Sequence, residues 1–434
     1  MPMRYTTNRF IDPVVATKMS AEPNKMLSVI VHSSDACTHV HQCIESLGGK
    51  VKYVLPLIGA VAAEIPASQI ERLSLEHEVE YINHDSNVFK CMDVASLAVE
   101  SDYVNESGYT GKGIGVAVID TGVINHDDFV RPTNRIVAFK DFVNGRANPY
   151  DDDGHGTHVA GIIAGNGFIK EDYKGIAPEA SIIGVKVLDE NGSGKTSDIL
   201  AGLQWVIDTK DMYNTKVVCM SLGSPAENPY NKDPLARAVS AAVQQGLTVV
   251  VAAGNSGPER RTITSPGISP SAITVGATDD NRTVTLEDDF IAKFSGRGPT
   301  IDGNVKPDVV APGVDIMSCS YKSPTSYVAY SGTSMAAPIV AGAAVLLYQK
   351  YPNISPAEVK SRLVQSAIPI DRSPYNQGAG CIRIRQAIGV EKKENPQQQQ
   401  PQSPTPHPRQ RQLPYWWRFW GRGMFMLLQL IFFI

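Results

Sequence analysis

The 434-residue chain lacks any C-x-x-C pair. Its six cysteines (Cys37, Cys43, Cys91, Cys219, Cys319 and Cys381) are spread along it. That spacing is thin for a disulfide scaffold and shows no zinc-ligand pattern. Residues 1–24 contain no apolar run of seven or more, because Asp12 and Pro13 break the only candidate, so no secretory signal is read there. Unpaired thiols without an export signal lead us to expect a reducing, cytoplasmic setting. An excess of basic charge is also missing: the net charge of −4 argues against nucleic acid as a partner. No internal repeat is found. Charged residues make up only 19% and hydrophobic ones 42%, which supports a sizeable core and excludes disorder over most of the length. This length suits two to four folding units.

Two folded regions and a tail are expected. In residues 25–92, strand-like runs at 26–31, 51–57, 60–65 and 79–83 alternate with helix-like stretches at 34–47 and 68–76. That order, β-α-β-β-α-β, predicts a small α+β (ferredoxin-like) unit after a leader over 1–24. In 93–394, nearly uninterrupted apolar runs at 114–119, 182–188, 217–222, 247–253 and 273–275 alternate with helical patterns at 198–213 and 234–245. Strands apolar on both faces imply an α/β parallel sheet with helices on both faces. Ser355-Pro356-Ala357-Glu358 fits a capping box and predicts a helix start.

Thirteen of the twenty residues in 395–414 are Pro or Gln, which predicts a flexible linker. The aromatic and apolar tail 415–434 follows, with three of the four Trp of the chain. All 44 acidic residues and 36 of the 40 basic ones precede residue 395, so residues 1–394 carry −8 and the remainder +4. Twelve helical residues at the end would span about 18 Å at 1.5 Å each, against a bilayer core of roughly 30 Å. The tail therefore reads either as a membrane-surface contact or as a sticky extension that docks on protein.

Four polar stretches carry the chemistry. Ile119-Asp120-Thr121-Gly122 ends an apolar strand. Gly154-His155-Gly156-Thr157-His158 runs from a turn into a helix, and Gly332-Thr333-Ser334-Met335-Ala336 opens another. A serine hydroxyl is a poor nucleophile alone. It needs a base to take its proton and a buried carboxylate to orient that base, and Asp120, His155 and Ser334 offer all three. Ala252-Ala253-Gly254-Asn255 ends another strand. There the Asn255 amide, with the Ser334 backbone N–H, offers donors for an oxyanion. Strand ends and helix starts face one crevice in an open parallel sheet, so residues that span 215 sequence positions can meet. Read as H-x-x-H, His155 and His158 lack a third metal ligand, and His158 reads as a packed core histidine. Asp151–Asp153 alone reads as a solvated acidic loop, with a role toward substrate left open.

Together, in the order Asp…His…Ser, these motifs resemble the subtilisin-like serine proteases over roughly residues 111–387, and most resemble their AprX-type intracellular branch. Met220-Ser221-Leu222-Gly223, Phe294-Ser295-Gly296-Arg297-Gly298-Pro299 and Lys306-Pro307-Asp308-Val309 add to the likeness. The resemblance implies a serine endopeptidase acting on protein or peptide substrates, with Asp120 as orienting acid, His155 as base, Ser334 as nucleophile and Asn255 as oxyanion donor. It implies substrate contacts at Ser221, Leu222, Gly223, Ala253 and Gly254, with the first three as an edge strand. Residues 25–92 would be an inhibitory propeptide, cut somewhere in 91–105. No cofactor is required and no metal residue is assigned. Asp128 matches a calcium ligand of some members, but 165–175 has no match to the rest of that site. The rival readings are a catalytically silent peptide-binding protein and an esterase or peptide ligase using the same parts.

Overall fold

A computed structural model describes residues 10–21, 23–34, 37–55, 58–85 and 93–391. The chain divides into a compact unit, Met1–Glu391, and a second, Lys392–Ile434, which lies outside the described residues together with the expected linker and tail.

Within the first unit the small N-terminal body comprises α1 (Pro13–Ala21), β1 (Met26–Ser33), α2 (Thr38–Ser46), β2 (Lys50–Leu55), β3 (Ala60–Pro66), α3 (Ala67–Leu73) and β4 (Val79–His84). Its sheet is antiparallel throughout, in the order β2-β3-β1-β4. Burial alternates along β1, as it does when one face of a strand meets the core. Val29, Val31, Val40, Ile44, Ile65, Ile70 and Ile82 close that core. Residues 10–21 belong to this body too: Ile11 bridges to Ile82, and α1 adds Val15 to the core. Asp12-Pro13 starts α1, since proline at a first helical position gives up an N–H that has no partner anyway.

The larger body begins with α4 (Asp93–Ala98) and α5 (Ser101–Glu106), with the short α6 (Asp127–Val130) further on; Ala95 and Val104 of the first two, and Val99 between them, lie in its main core. Its sheet has the order β11-β10-β9-β8-β5-β7-β6, with β12 also on β10. The strands are β5 (Gly115–Asp120), β6 (Ile136–Asp141), β7 (Ser181–Lys186), β8 (Thr215–Met220), β9 (Thr248–Ala252), β10 (Ile273–Asp279), β11 (Phe290–Ile291) and β12 (Val309–Pro312). All pairs are parallel except β10–β11. Alternate residues feed two cores. Val116, Val118, Val217 and Val250 meet α7 (His155–Ala164) and α10 (Thr333–Lys350), while Ala117, Ile119, Val218 and Val249 meet α8 (Thr196–Thr209) and α9 (Pro234–Gln244). Both strand faces are dry, which is why the sequence shows runs rather than alternation. The capping box at Ser355 and Glu358 opens the helix Pro356–Gln365, with both reciprocal bonds formed. Among the described residues, no helix is long and apolar enough to cross a membrane.

Candidate active site

Asp120 is the last residue of β5, fully buried, at the carboxyl edge where the parallel strands deliver their ends. Its Oδ1 accepts the Thr121 N–H (2.8 Å) and the His155 Nδ1–H (2.7 Å). With Nδ1 donating, the free lone pair of His155 sits on Nε2. His155 opens α7, and that helix start is pinned from below. Asp151 takes the Gly154 N–H (2.8 Å) and the Thr157 N–H and hydroxyl (2.9 and 2.7 Å), a carboxylate placed where a helix leaves its donors unpaired. The Gly156 N–H donates to Thr121 Oγ1 (2.8 Å), tying the helix start to the residue beside Asp120. No side chain fits at Gly156, where a Cβ would stand 2.2 Å from the Gly122 carbonyl oxygen. Burial lowers the His155 pKa, but the Asp120 carboxylate and its hydrogen bond, with Asp153 and Asp151 behind them, outweigh this. The net shift is upward from the ordinary 6.5.

Ser334 lies in the first turn of α10. Its hydroxyl donates to the Ser221 carbonyl (3.1 Å), and the Ser221 hydroxyl donates back to the Ser334 carbonyl (3.0 Å). The second bond follows from Pro338, inside the helix four residues on. Proline has no N–H to return to residue 334, so that carbonyl is left for a side chain. Ser334 shares a cavity of about 380 Å³ with His155, Asn255, Gly332 and Met335. Asn255 Oδ1 accepts both the N–H and the hydroxyl of Thr333 (2.9 Å each), which leaves the amide N–H₂ as its group for the cleft.

Residues 111–400 match the Subtilase family. The chain belongs to the subtilase family. It is 39% identical over 420 residues to Serine protease AprX of Bacillus subtilis (strain 168), covering 89% of this chain and 92% of that one. Subtilisin E of the same organism is 36% identical over 351 residues, covering 79% and 84%. Among solved structures, Sphericase superposes with a TM-score of 0.54 at 33% identity, covering 63% of this chain and 92% of that one. The protein is a subtilisin-like serine endopeptidase, and its substrates are proteins or peptides.

The subtilase has a second cavity of about 470 Å³, which His155 also borders. Leu188, Gly192–Gly194, Ile199, Ser221, Leu222, Gly223 and Leu235 line it, with Asp153 the one charged side chain. Ser221–Gly223 follow the end of β8 and have no ladder partner of their own among the described residues. Ala253 and Gly254 line neither cavity. The Ala253 backbone is engaged by Val275 and Thr264, and Gly254 bonds to Thr333 and Gly296.

His158 is fully buried. Its Nε2 lies 3.0 Å from the carbonyls of Ile316 and Val328, to which it can only donate, and burial pushes its pKa down to about 3. It is a neutral packing residue stacked on Tyr330. Asp128 is also buried. Its carboxylate receives the Tyr327 hydroxyl (2.9 Å) and the Ile169 N–H (3.1 Å), and the Cys319 thiol stands 3.9 Å away. The two nitrogens of the neighbouring His126 are taken by the Asp128 N–H and the Ser326 carbonyl. Protein donors thus fill the place where a calcium ligand was considered.

Sequence reading passed over Lys186. Its fully buried ammonium donates to the carbonyls of Thr121 and Leu188 (2.7 Å each) and to Asp152 (2.6 Å). The signal was one lysine inside the apolar run 182–188.

Proposed function

We propose that Asp120, His155 and Ser334 act as one catalytic unit, with Asn255 stabilising the oxyanion. The observation that carries this reading is the 2.7 Å bond between His155 Nδ1 and Asp120 Oδ1, in a side chain that shares its cavity with Ser334. The Ser334 hydroxyl swings from the Ser221 carbonyl to His155 Nε2, gives up its proton there and attacks the scissile carbonyl. The Asn255 amide and the Ser334 N–H at the start of α10 receive the oxyanion. His155 passes the proton to the leaving amine, and water, deprotonated by the same imidazole, clears the acyl-enzyme. Ser221–Gly223 offer backbone to an extended substrate, and the apolar wall of Leu188, Ile199, Leu222 and Leu235 favours an apolar side chain before the cut. A fluorophosphonate probe tests the assignment: labelling is expected on Ser334 and absent in Ser334→Ala. Labelling that persists in that variant refutes it.

We further propose that the small body is an inhibitory propeptide. Supporting this, it has its own core and precedes a larger body whose core includes Ala95, Val99 and Val104. A cut within 95–104 would sever packed helices, so the junction falls ahead of Asp93, in a segment outside the described residues. Among the described residues, the linings of these two cavities hold none of the small body, which borders 281–290 around a cavity of about 690 Å³. Mass spectrometry of Ser334→Ala should find only full-length chain, and normal processing in that variant would assign the cut to another protease. The five described cysteines are free thiols, four of them buried, which supports work in a reducing, cytoplasmic compartment.

A further inference from the structure

We propose that the small body carries a divalent transition-metal site of the zinc type, made by His39, Cys43 and Glu76. His39 and Cys43 stand four residues apart on α2, so their side chains share one helix face. His39 Nε2 lies 3.4 Å from Cys43 Sγ. Two such ligands at about 2.0 and 2.3 Å from one tetrahedral zinc ion stand roughly 3.5 Å apart. The Glu76 carboxylate converges on the same point from the turn before β4, with all three ligand atoms within 4.8 Å of one another. Glu78, 3.5 Å from His39 Nε2, adds negative charge beside the site. An imidazole, a thiol and a carboxylate form a borderline-soft set that suits zinc or cobalt rather than magnesium or calcium, and partial exposure leaves the fourth position to water.

In the metal-free protein Cys43 Sγ and His39 Nε2 stand in contact, and the thiol carries its hydrogen. Binding replaces it: the S–H bond breaks, an S–metal bond forms, and one proton leaves for solvent with no change in oxidation state. The site differs from the other His-Asp-Cys group, His126, Asp128 and Cys319, whose nitrogens and carboxylate are already engaged. It lies outside the catalytic cleft and does not depend on the propeptide reading. Its sequence pattern, H-x-x-x-C on a helix, is not a C-x-x-C and therefore escapes a cysteine-pair search.

The test uses the full-length chain carrying Ser334→Ala, titrated with Co²⁺ and followed by the thiolate-to-cobalt charge-transfer band, with Zn²⁺ as competitor. We expect one equivalent, one proton released per metal, and displacement by Zn²⁺. Cys43→Ser should abolish the band. His39→Ala should weaken binding by more than the roughly 10–100-fold that outer hydrogen-bond partners of a metal site carry. Cys319→Ala should leave the band in place. No stoichiometric band, or one that survives Cys43→Ser, overturns the proposal. Should Cys43→Ser disturb folding by circular dichroism, Glu76→Gln reads the same contact, and unchanged affinity there is equally fatal.

Discussion

Replacing Lys186 by Met separates a buried ammonium from the groups it holds. Its Nζ is the shared donor for the Thr121 and Leu188 carbonyls and for Asp152 Oδ1, at 2.6–2.7 Å. Methionine keeps the length of the side chain and removes all three bonds at once. Two carbonyls lose their partner, and Asp152 loses its cation. Removing one member of a buried ion pair costs about 3–5 kcal/mol, since the survivors stay desolvated. At about 2 °C per kcal/mol for a body of this size, the midpoint should fall by roughly 6–10 °C. Asp152→Asn is the informative counterpart. The Asp152 side chain is 30% exposed, so water replaces part of what it loses, and Lys186 keeps both carbonyls. That change should cost only about 1–2 kcal/mol. Thermal unfolding of both variants in the Ser334→Ala background, where self-digestion is blocked, gives the comparison. Asp152→Asn as damaging as Lys186→Met, or a shift under about 2 °C for Lys186→Met, refutes the claim that the ammonium chiefly supports the backbone beside Asp120.

As the proposed general base His155 must be neutral, and its pKa is raised, so the acid limb of kcat/KM should have its midpoint above 6.5, with activity lost as pH falls through it. A pH-rate profile with its midpoint below 6.5 contradicts this. Asn255→Ala should lower kcat by about 10²–10³, a value taken from a subtilisin, with KM little changed, as steady-state kinetics on a peptide amide would report. Gly156→Ala should cut kcat at an unchanged active-site titre. Its Cβ would meet the Gly122 oxygen at 2.2 Å and the Asp120 Cβ at 3.1 Å, forcing the helix start away from the acid, and near-normal turnover would disprove that.

The strands were legible because both faces of the sheet are dry, so β5, β7, β8 and β9 stand out as apolar runs. The residues of the proposed catalytic unit stood out because polar side chains interrupt those runs where a parallel sheet gathers its ends. Strand β6 did not. Its Ile-Val-Ala-Phe-Lys-Asp lies at the edge of the sheet and is buried only at its two end residues, so it shows neither an apolar run nor an alternation. Nor did the partition of backbone bonds at Ala253 and Gly254, which depends on Thr264, Gly296 and Thr333 arriving from elsewhere. Asp128 shows the same limit: identity suggested a cation ligand, but Tyr327, nearly two hundred positions away, supplies a hydroxyl. Helix α1 was readable in principle, since Asp12-Pro13 is a start signal, but its value as a core element depends on Ile82.

Fifteen of the eighteen residues of α10 are buried, including small residues such as Ala336, Ala337, Ala341 and Ala343 that let strands approach closely. Such a segment has no wet side and little reason to persist as a helix until the sheet and α7 are there to receive it. The serine at its first turn is therefore set in place only as the architecture around it closes. A nascent chain still short of that point is unarmed, and becomes able to cut its neighbours only when it has become a poor substrate itself.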